Sequence, residues 1–261
     1  MKKIVITGAR SGIAGAVIER LKKKDYFIYV GVHNEKQLEQ VKKWYQNDSN
    51  IECLKLDVTD PKDREHFRTL DFDILINNAA IGKGGSLAEI PMDHVRENFE
   101  TNVFSSFELV QLALQKMIPR NEGKIIMMGS LAGIFPLAFL GSYCGSKAAI
   151  NKMTTVLRRE VNLVAPNVQI HLIEPGLYAT GFNQVMYDDK YSWMREKSYF
   201  EREIQFLQTK ESLLLELCEK KSLHSIVRQI EKAVETNRCK LLYRAPLSQV
   251  VSAKLYELFL Q

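Results

Sequence analysis

The sequence predicts an α/β fold: a doubly wound parallel sheet of about seven strands with helices on both faces. Short apolar runs alternate with longer stretches of helical period along its 261 residues. Several runs, such as Ile125-Ile126-Met127-Met128, show no polar alternation, which suits a sheet buried on both sides. Polar residues and glycines recur just after the runs, at the carboxyl ends of strands, where open sheets of this kind bind ligands.

In chain order, a strand over Lys3–Thr7 enters a glycine-bearing turn, Thr7-Gly8-Ala9-Arg10-Ser11-Gly12-Ile13, and a helix over 13–24. Strands follow at Tyr26–Val32, at Glu52–Asp57 (closing as Asp57-Val58) and at Ile74–Asn77, which is closed by Asn77-Asn78-Ala79-Ala80. Helices are expected over 35–46, 61–69 and, as one long element, 92–118. A strand at Lys124–Met128 precedes a helix over 142–163. A strand at Gln169–Ile173 leads to Pro175-Gly176. A helix over 222–236 and a strand at Lys240–Tyr243 complete the alternation.

Residues 178–221 break the pattern, with aromatic residues among many charges and no strand signal. An insertion this long in a compact domain points to function, so the chain reads as one domain, 1–261, with 178–221 as a substrate lid. No repeat, low-complexity tract or linker divides it.

An apolar content of 46% supplies one sizeable core, and the net charge of +5 comes from 36 basic and 31 acidic residues that are mostly interspersed. Clusters such as Lys22-Lys23-Lys24 and Lys220-Lys221 read as solvated faces, so no nucleic-acid partner is expected. The four cysteines, Cys53, Cys144, Cys218 and Cys239, lack metal-ligand or redox spacing; no metal is expected, and they read as reduced thiols. The N-terminal apolar run is too short for a secretory signal and no window is long enough for a membrane span, so a soluble, cytoplasmic protein is expected.

Glycines in the first turn let the backbone approach a pyrophosphate, which the free N–H groups of a helix start can bind. At the end of the second strand, Val32-His33-Asn34, there is no acid to hold a ribose hydroxyl. Arg10, with His33 and Lys36, instead suits a 2′-phosphate, so NADP(H) is expected in preference to NAD(H). The alternative is that Arg10 and Lys36 are merely exposed charges. In Ser142-Tyr143-Cys144-Gly145-Ser146-Lys147 the tyrosine and lysine stand one helical turn apart. An ammonium beside a phenol lowers its pKa and makes Tyr143 a candidate proton donor and acceptor. An exposed lysine beside a half-buried tyrosine is the plainer alternative.

Taken in order, the glycine turn, Asp57-Val58, Asn77-Asn78-Ala79-Ala80, Asn102, Ser130, Tyr143/Lys147, Pro175-Gly176 and Thr180 resemble a short-chain dehydrogenase/reductase of the compact, single-domain type, with its Rossmann-like fold. The resemblance covers residues 1–182 and implies a catalytic set of Asn102, Ser130, Tyr143 and Lys147. Ser130 would bond the substrate carbonyl, Tyr143 would exchange its proton, Lys147 would lower the phenol pKa and hold the nicotinamide ribose, and the Asn102 side chain would help fix a water. It further implies a cofactor cradle of Thr7, Gly8, Arg10, Ser11, Gly12, Ile13, His33, Asp57, Val58, Asn78, Ala79, Tyr143, Lys147, Pro175, Gly176 and Thr180. Homodimers or homotetramers paired through the helices of Asn102 and Tyr143 are also implied. Two departures stand out: Ala14, followed by Gly15, replaces the third glycine of the phosphate turn, and Ala80 ends the asparagine motif where glycine is usual.

The loop Leu131–Gly141 has few polar groups, so the expected partner is a medium-sized apolar carbonyl compound or secondary alcohol, with hydride exchanged against nicotinamide. Two other functions fit less of the pattern. A catalytically silent nucleotide sensor or scaffold has no use for the whole catalytic set. A nucleotide-sugar epimerase or dehydratase needs a longer substrate domain. The apolar C-terminal stretch 250–260 reads as a packed helix, a subunit contact or a weak membrane-surface contact.

Overall fold

The computed structural model describes residues 1–194, 198–237 and 240–259. Cys239, Leu260 and positions 195–197 of the expected lid lie outside the described residues. Seven strands, β1 Lys2–Ile6, β2 Tyr26–Val32, β3 Ile51–Lys55, β4 Ile74–Asn77, β5 Gly123–Met128, β6 Val168–Pro175 and β7 Leu242–Ala245, form one sheet in the order β3-β2-β1-β4-β5-β6-β7. Every pairing is parallel. The order reverses between β1 and β4, which opens a crevice at their carboxyl ends. Register brings Ile6 beside both Val30 and Ile76, so the turns after β1, β2 and β4 leave one edge of the sheet together.

Side chains alternate across the strands and divide the core in two. Ile4 and Ile6 of β1 face α1 (Gly12–Leu21) and α9 (His224–Glu235), meeting Val17, Ile18, Ile226 and Ile230. Val5 points the other way, to Phe67 of α3 (Pro61–Thr69), Leu109 of α5 (Ser105–Arg120) and Ile150 of α6 (Gly141–Val164). Each such side chain contributes about 1.5–3 kcal/mol on burial, so both layers hold the sheet. α2 (Glu35–Trp44) starts at Asn34, whose side chain accepts a bond from Gln37 N at 3.0 Å.

Two expectations are corrected, and the lid stretch takes a definite form. The single helix over 92–118 is α4 (Met92–Phe99), a π-helical turn (Glu100–Phe104) and then α5. The wider turn falls at Asn102, whose amide is drawn inward to the Ile81 backbone. The last strand lies at Leu242–Ala245 rather than Lys240–Tyr243, in register with Leu172–Pro175. The stretch 178–221 is helical: α7 (Phe182–Met194), a short 3-10 turn (Glu201–Glu203) and α8 (Ile204–Cys218).

The C-terminal stretch is α10 (Leu247–Phe259), which buries Val250 and Ala253 against Leu131, with Ile134 and Phe135 packed around them. Of the three alternatives the packed helix is the one seen, although Leu247, Val251, Leu255 and Leu258 remain exposed. No described helix is long and apolar enough to cross a membrane.

Candidate active site

The turn after β1 needs glycine at two places. Gly8 and Gly12 have φ of +60° and +63°, and a Cβ on Gly8 would lie 2.7 Å from the Ala79 Cα. α1 begins at Gly12 with no side-chain cap from Ser11, so its first N–H groups can take an anionic ligand. Of the two departures, Ala14 is buried in the core, while a Cβ on Gly15 would meet only the Arg10 carbonyl, at 3.9 Å. The substituted turn therefore keeps its shape.

A cavity of about 1690 Å³ runs from this turn across the ends of β1, β4, β5 and β6. Gly8, Arg10, Ser11, Gly12, Ile13, His33, Asp57, Val58, Asn78, Ala79, Pro175, Gly176 and Thr180 all line it. Thr7 does not. It is fully buried beneath the wall, its hydroxyl accepting from Asn78 N and Ala79 N at 2.9 Å each, so it shapes the cradle from behind. His33 lies 3.4 Å from Asp57 Oδ2, and Asp57 Oδ1 holds the Thr59 N–H and hydroxyl. Lys36 is exposed off the wall; the neighbouring Gln37 lines it.

At the other end of the cavity Ser130, Tyr143 and Lys147 converge. Ser130 follows β5 and shares a side-chain hydrogen bond with Tyr143. Lys147 Nζ donates to Met128 O at 3.0 Å and lies 5.9 Å from the centre of the Tyr143 ring. Both α6 side chains are buried. Burial pushes the Tyr143 phenol upward, with the Ser130 bond acting in the opposite sense, and burial pulls Lys147 down to about 8. The expected net lowering of the phenol is not found, because desolvation outweighs the effect of Ser130. A neutral, protonated phenol held against a serine hydroxyl is the state that can give up a proton.

Asn102 is buried off the cavity wall. Its Oδ1 accepts from Ile81 N and its Nδ2 donates to Ile81 O, both at 2.9 Å, and Nδ2 reaches Ser146 Oγ at 3.0 Å. With those bonds made, the amide holds the chain after β4 to α6. Sequence reasoning missed a second amide, Asn98, which grips Lys83 in the same way. It also missed Asn151, one turn beyond Lys147, whose Nδ2 donates to Ser130 O at 3.1 Å. The four-residue spacing of Asn98 and Asn102, matched by Ser142 and Ser146, was a readable signal.

The aromatic residues of 178–200 divide between two places. Phe182, Met186 and Tyr187 of α7 face the cavity, the Phe182 ring 5.8 Å from that of Tyr143. Tyr191, Met194 and Ile204 bury together with Trp193, Phe200 and Phe139 packed around them, as a separate small core beneath the segment.

The fold and cradle define a dinucleotide-binding α/β protein of the nicotinamide-dependent class. The family model described as short chain dehydrogenase matches residues 2–190, and the chain belongs to that family of oxidoreductases. The NADPH-dependent 3-dehydrocapnine reductase of Ornithobacterium rhinotracheale is 31% identical over 188 residues, 67% of this chain. The match spans 65% of that relative, just under two thirds of its length. A short-chain dehydrogenase/reductase from Burkholderia phymatum, solved in complex with NAD, superposes with a TM-score of 0.80 at 19% identity over 97% of this chain and 92% of its own. One from Sphingobium yanoikuyae in complex with NADPH does so with a TM-score of 0.74 at 18% identity, over 99% and 95%. Both share the fold.

Proposed function

We propose that the protein is an NADP(H)-dependent oxidoreductase that interconverts a carbonyl group and a secondary alcohol on a medium-sized apolar substrate. The observation that carries this reading is the convergence of half-buried Ser130 with buried Tyr143 and Lys147 on the same cavity as the glycine turn. A nicotinamide bound across that cavity supplies the hydride that adds to the carbonyl carbon. Gly8, Gly12 and the start of α1 would hold the pyrophosphate, Asp57 and Val58 would border the adenine end, and Pro175, Gly176 and Thr180 would border the nicotinamide. Ser130 Oγ donates to the substrate oxygen where negative charge develops. Tyr143 gives that oxygen its phenolic proton, completing the alcohol, and the Lys147 ammonium stabilises the phenolate left behind. Asn102 acts as a positioning residue through Ile81 and Ser146.

Arg10 on the cavity wall and the lack of an acid at the end of β2 support NADP(H), as does the cofactor in the name of the Ornithobacterium relative. Apolar lining from Leu137, Leu140, Phe182 and Met186 supports the substrate class, with 178–221 as its lid in a one-domain chain. Exposed Phe104, Met153 and Val156, in the π-turn and α6, support a homodimer or homotetramer joined through those helices. The free thiols of Cys53, Cys144 and Cys218 fit a cytoplasmic setting.

Fluorescence titration with NADPH and NADH, then turnover of a panel of ketones and sugars, tests the reading. Tighter NADPH binding and faster turnover of apolar ketones are expected. A wide preference for NADH would remove the Arg10 assignment, and faster turnover of sugars would remove the apolar pocket.

A further inference from the structure

Tyr143, Lys147 and Asn151 follow one another at four-residue spacing in α6, so they share one face of the helix. The first two line the cavity; Asn151 does not. Its Nδ2 turns to the loop after β5 and donates to Ser130 O at 3.1 Å. That carbonyl also accepts from Gly133 N at 3.1 Å, within its own turn, so of its two bonds only the one from Asn151 comes from α6.

The serine turn is shaped around this amide. A Cβ on Gly129 would lie 2.1 Å from Asn151 Oδ1, and one on Gly133 would lie 2.5 Å from Nδ2 and 2.9 Å from the Lys147 carbonyl oxygen. Neither glycine has a positive φ, so the close approach itself excludes a side chain at both places. Between them Ser130 is extended, its Oγ accepting from Ala132 N at 3.0 Å and sharing a hydrogen bond with Tyr143. The amide adds little stability from this seat. Its Oδ1 is sealed from solvent with no hydrogen-bond partner, which is unfavourable, and Ser130 O keeps the Gly133 bond without it. What Nδ2 supplies is alignment, because it ties the serine peptide to the helix that carries the phenol.

We propose that Asn151 is a positioning residue for the reaction, setting the direction in which the Ser130 hydroxyl faces Tyr143 and the substrate oxygen. This rests on the oxidoreductase reading for the roles of Ser130 and Tyr143. Asn151→Leu removes both polar atoms at similar size. Single-turnover NADPH oxidation with a saturating ketone, NADPH titration and urea midpoints are compared for wild type, Asn151→Leu, Ser130→Ala and the double variant. The leucine variant should react about tenfold to a hundredfold more slowly, the scale of a displacement of about 1 Å, with NADPH affinity and midpoint close to wild type. In the Ser130→Ala background the same substitution should slow the reaction no further, because no hydroxyl is left to aim. A merely structural residue would lower the midpoint and cost the same factor in both backgrounds. Should leucine prevent folding, the isosteric Asn151→Asp serves in its place. Its carboxylate cannot donate to Ser130 O but its acid form can, so its rate relative to wild type should recover as pH falls.

Equal rates for wild type and the leucine variant, or equal losses in the two backgrounds, would overturn the proposal, as would failure of both Asn151 variants to fold. A crystal structure of the variant reads the placement without turnover: Ser130 Oγ should turn away from Tyr143. If ketones are reduced and the serine stays in place, the positioning role is wrong and the reductase reading stands. If the serine turns but the wild type reduces no ketone, the positioning role stands and the reductase reading fails.

Discussion

Asn98 and Asn102 clamp the same extended segment two residues apart, each from a helical position one turn from the other. Asn102 takes both the N–H and the carbonyl of Ile81 at 2.9 Å; Asn98 takes those of Lys83 at 2.9 and 2.8 Å. Each amide also reaches a serine of α6, Ser146 at 3.0 Å and Ser142 at 2.7 Å. Those serines directly precede Lys147 and Tyr143. The two-rung ladder therefore sets the spacing between the end of β4 and α6, the helix that carries Tyr143 and Lys147.

Removing one rung should cost stability and alignment together. Asn98→Ala takes the side-chain partner from Lys83 N and from Ser142 and one of the two donors from Lys83 O, a loss of about 1–3 kcal/mol. Asn102→Ala should cost about as much, and the double variant should depart from additivity, since both rungs hold one segment. Urea midpoints at unchanged slope provide the measurement. Midpoints equal to wild type would mean that other contacts hold the segment.

Tyr143→Phe keeps the ring against Phe182 and removes only the hydroxyl. Ketone reduction should fall by about 10²–10⁴-fold while NADPH binding survives. Ser130→Ala should lower kcat by about 10²–10³-fold, as expected of a lost oxyanion donor. Single-turnover NADPH oxidation with a saturating ketone measures both. A Phe variant as fast as wild type would falsify the role given to Tyr143.

What the sequence revealed of this site follows from how local each relation is. Tyr143 and Lys147 are legible because one helical turn brings them together whatever the surroundings, and Gly8, Asn78, Ser130 and Gly176 because each lies within two residues of a strand end. The π-turn at Asn102 depends on hydrogen bonds to Ile81, 21 residues earlier in the chain, so the stretch 92–118 reads as one helix. Thr7 sits at a strand end like the wall residues, but its hydroxyl turns inward toward Asn78, a choice that only the β1–β4 pairing determines. Lys36 and Gln37 are adjacent on α2, and the Asn34 cap at the start of that helix bonds Gln37. The segment after Thr180 was least legible, because Lys190 is wholly buried only by virtue of Glu211, which lies on the next helix.

The pH dependence of ketone reduction should follow Lys147. With its pKa lowered to about 8 by burial, the lysine carries the charge that stabilises the phenolate only below that pH. At limiting ketone and saturating NADPH, kcat/KM should be flat at lower pH and decline as pH rises through about 8. Burial keeps Tyr143 protonated across this range, so the phenol does not cause the decline. Stability moves the other way. Between about 8 and the ordinary lysine value of 10.5 the unfolded chain holds the proton that the folded chain has released, so this group's contribution to stability grows with pH. Lys147→Arg, charged throughout, should lose the decline even if its rate is lower. A decline that persisted in the arginine variant would assign it to another group.

Lys190 and Glu211 join α7 to α8. The ammonium is fully buried, bonded to both carboxylate oxygens at 2.6 and 2.7 Å, and lies 4.7 and 4.5 Å from the ring centres of Tyr187 and Tyr191. The Tyr191 hydroxyl donates to Glu211 at 2.6 Å, which completes the cluster. Removing one partner leaves a buried charge uncompensated, a loss of about 3–5 kcal/mol, whereas replacing both with apolar side chains can be neutral. Glu211→Leu alone should therefore loosen α7 from α8, accelerate proteolytic nicking within 182–218 and raise KM for ketones while NADPH affinity holds. Lys190→Met with Glu211→Leu should restore protease resistance toward that of wild type. If the single variant were cut no faster than wild type, the apolar contacts of Tyr191, Met194 and Ile204 would be enough to hold α7 to α8 without the ion pair.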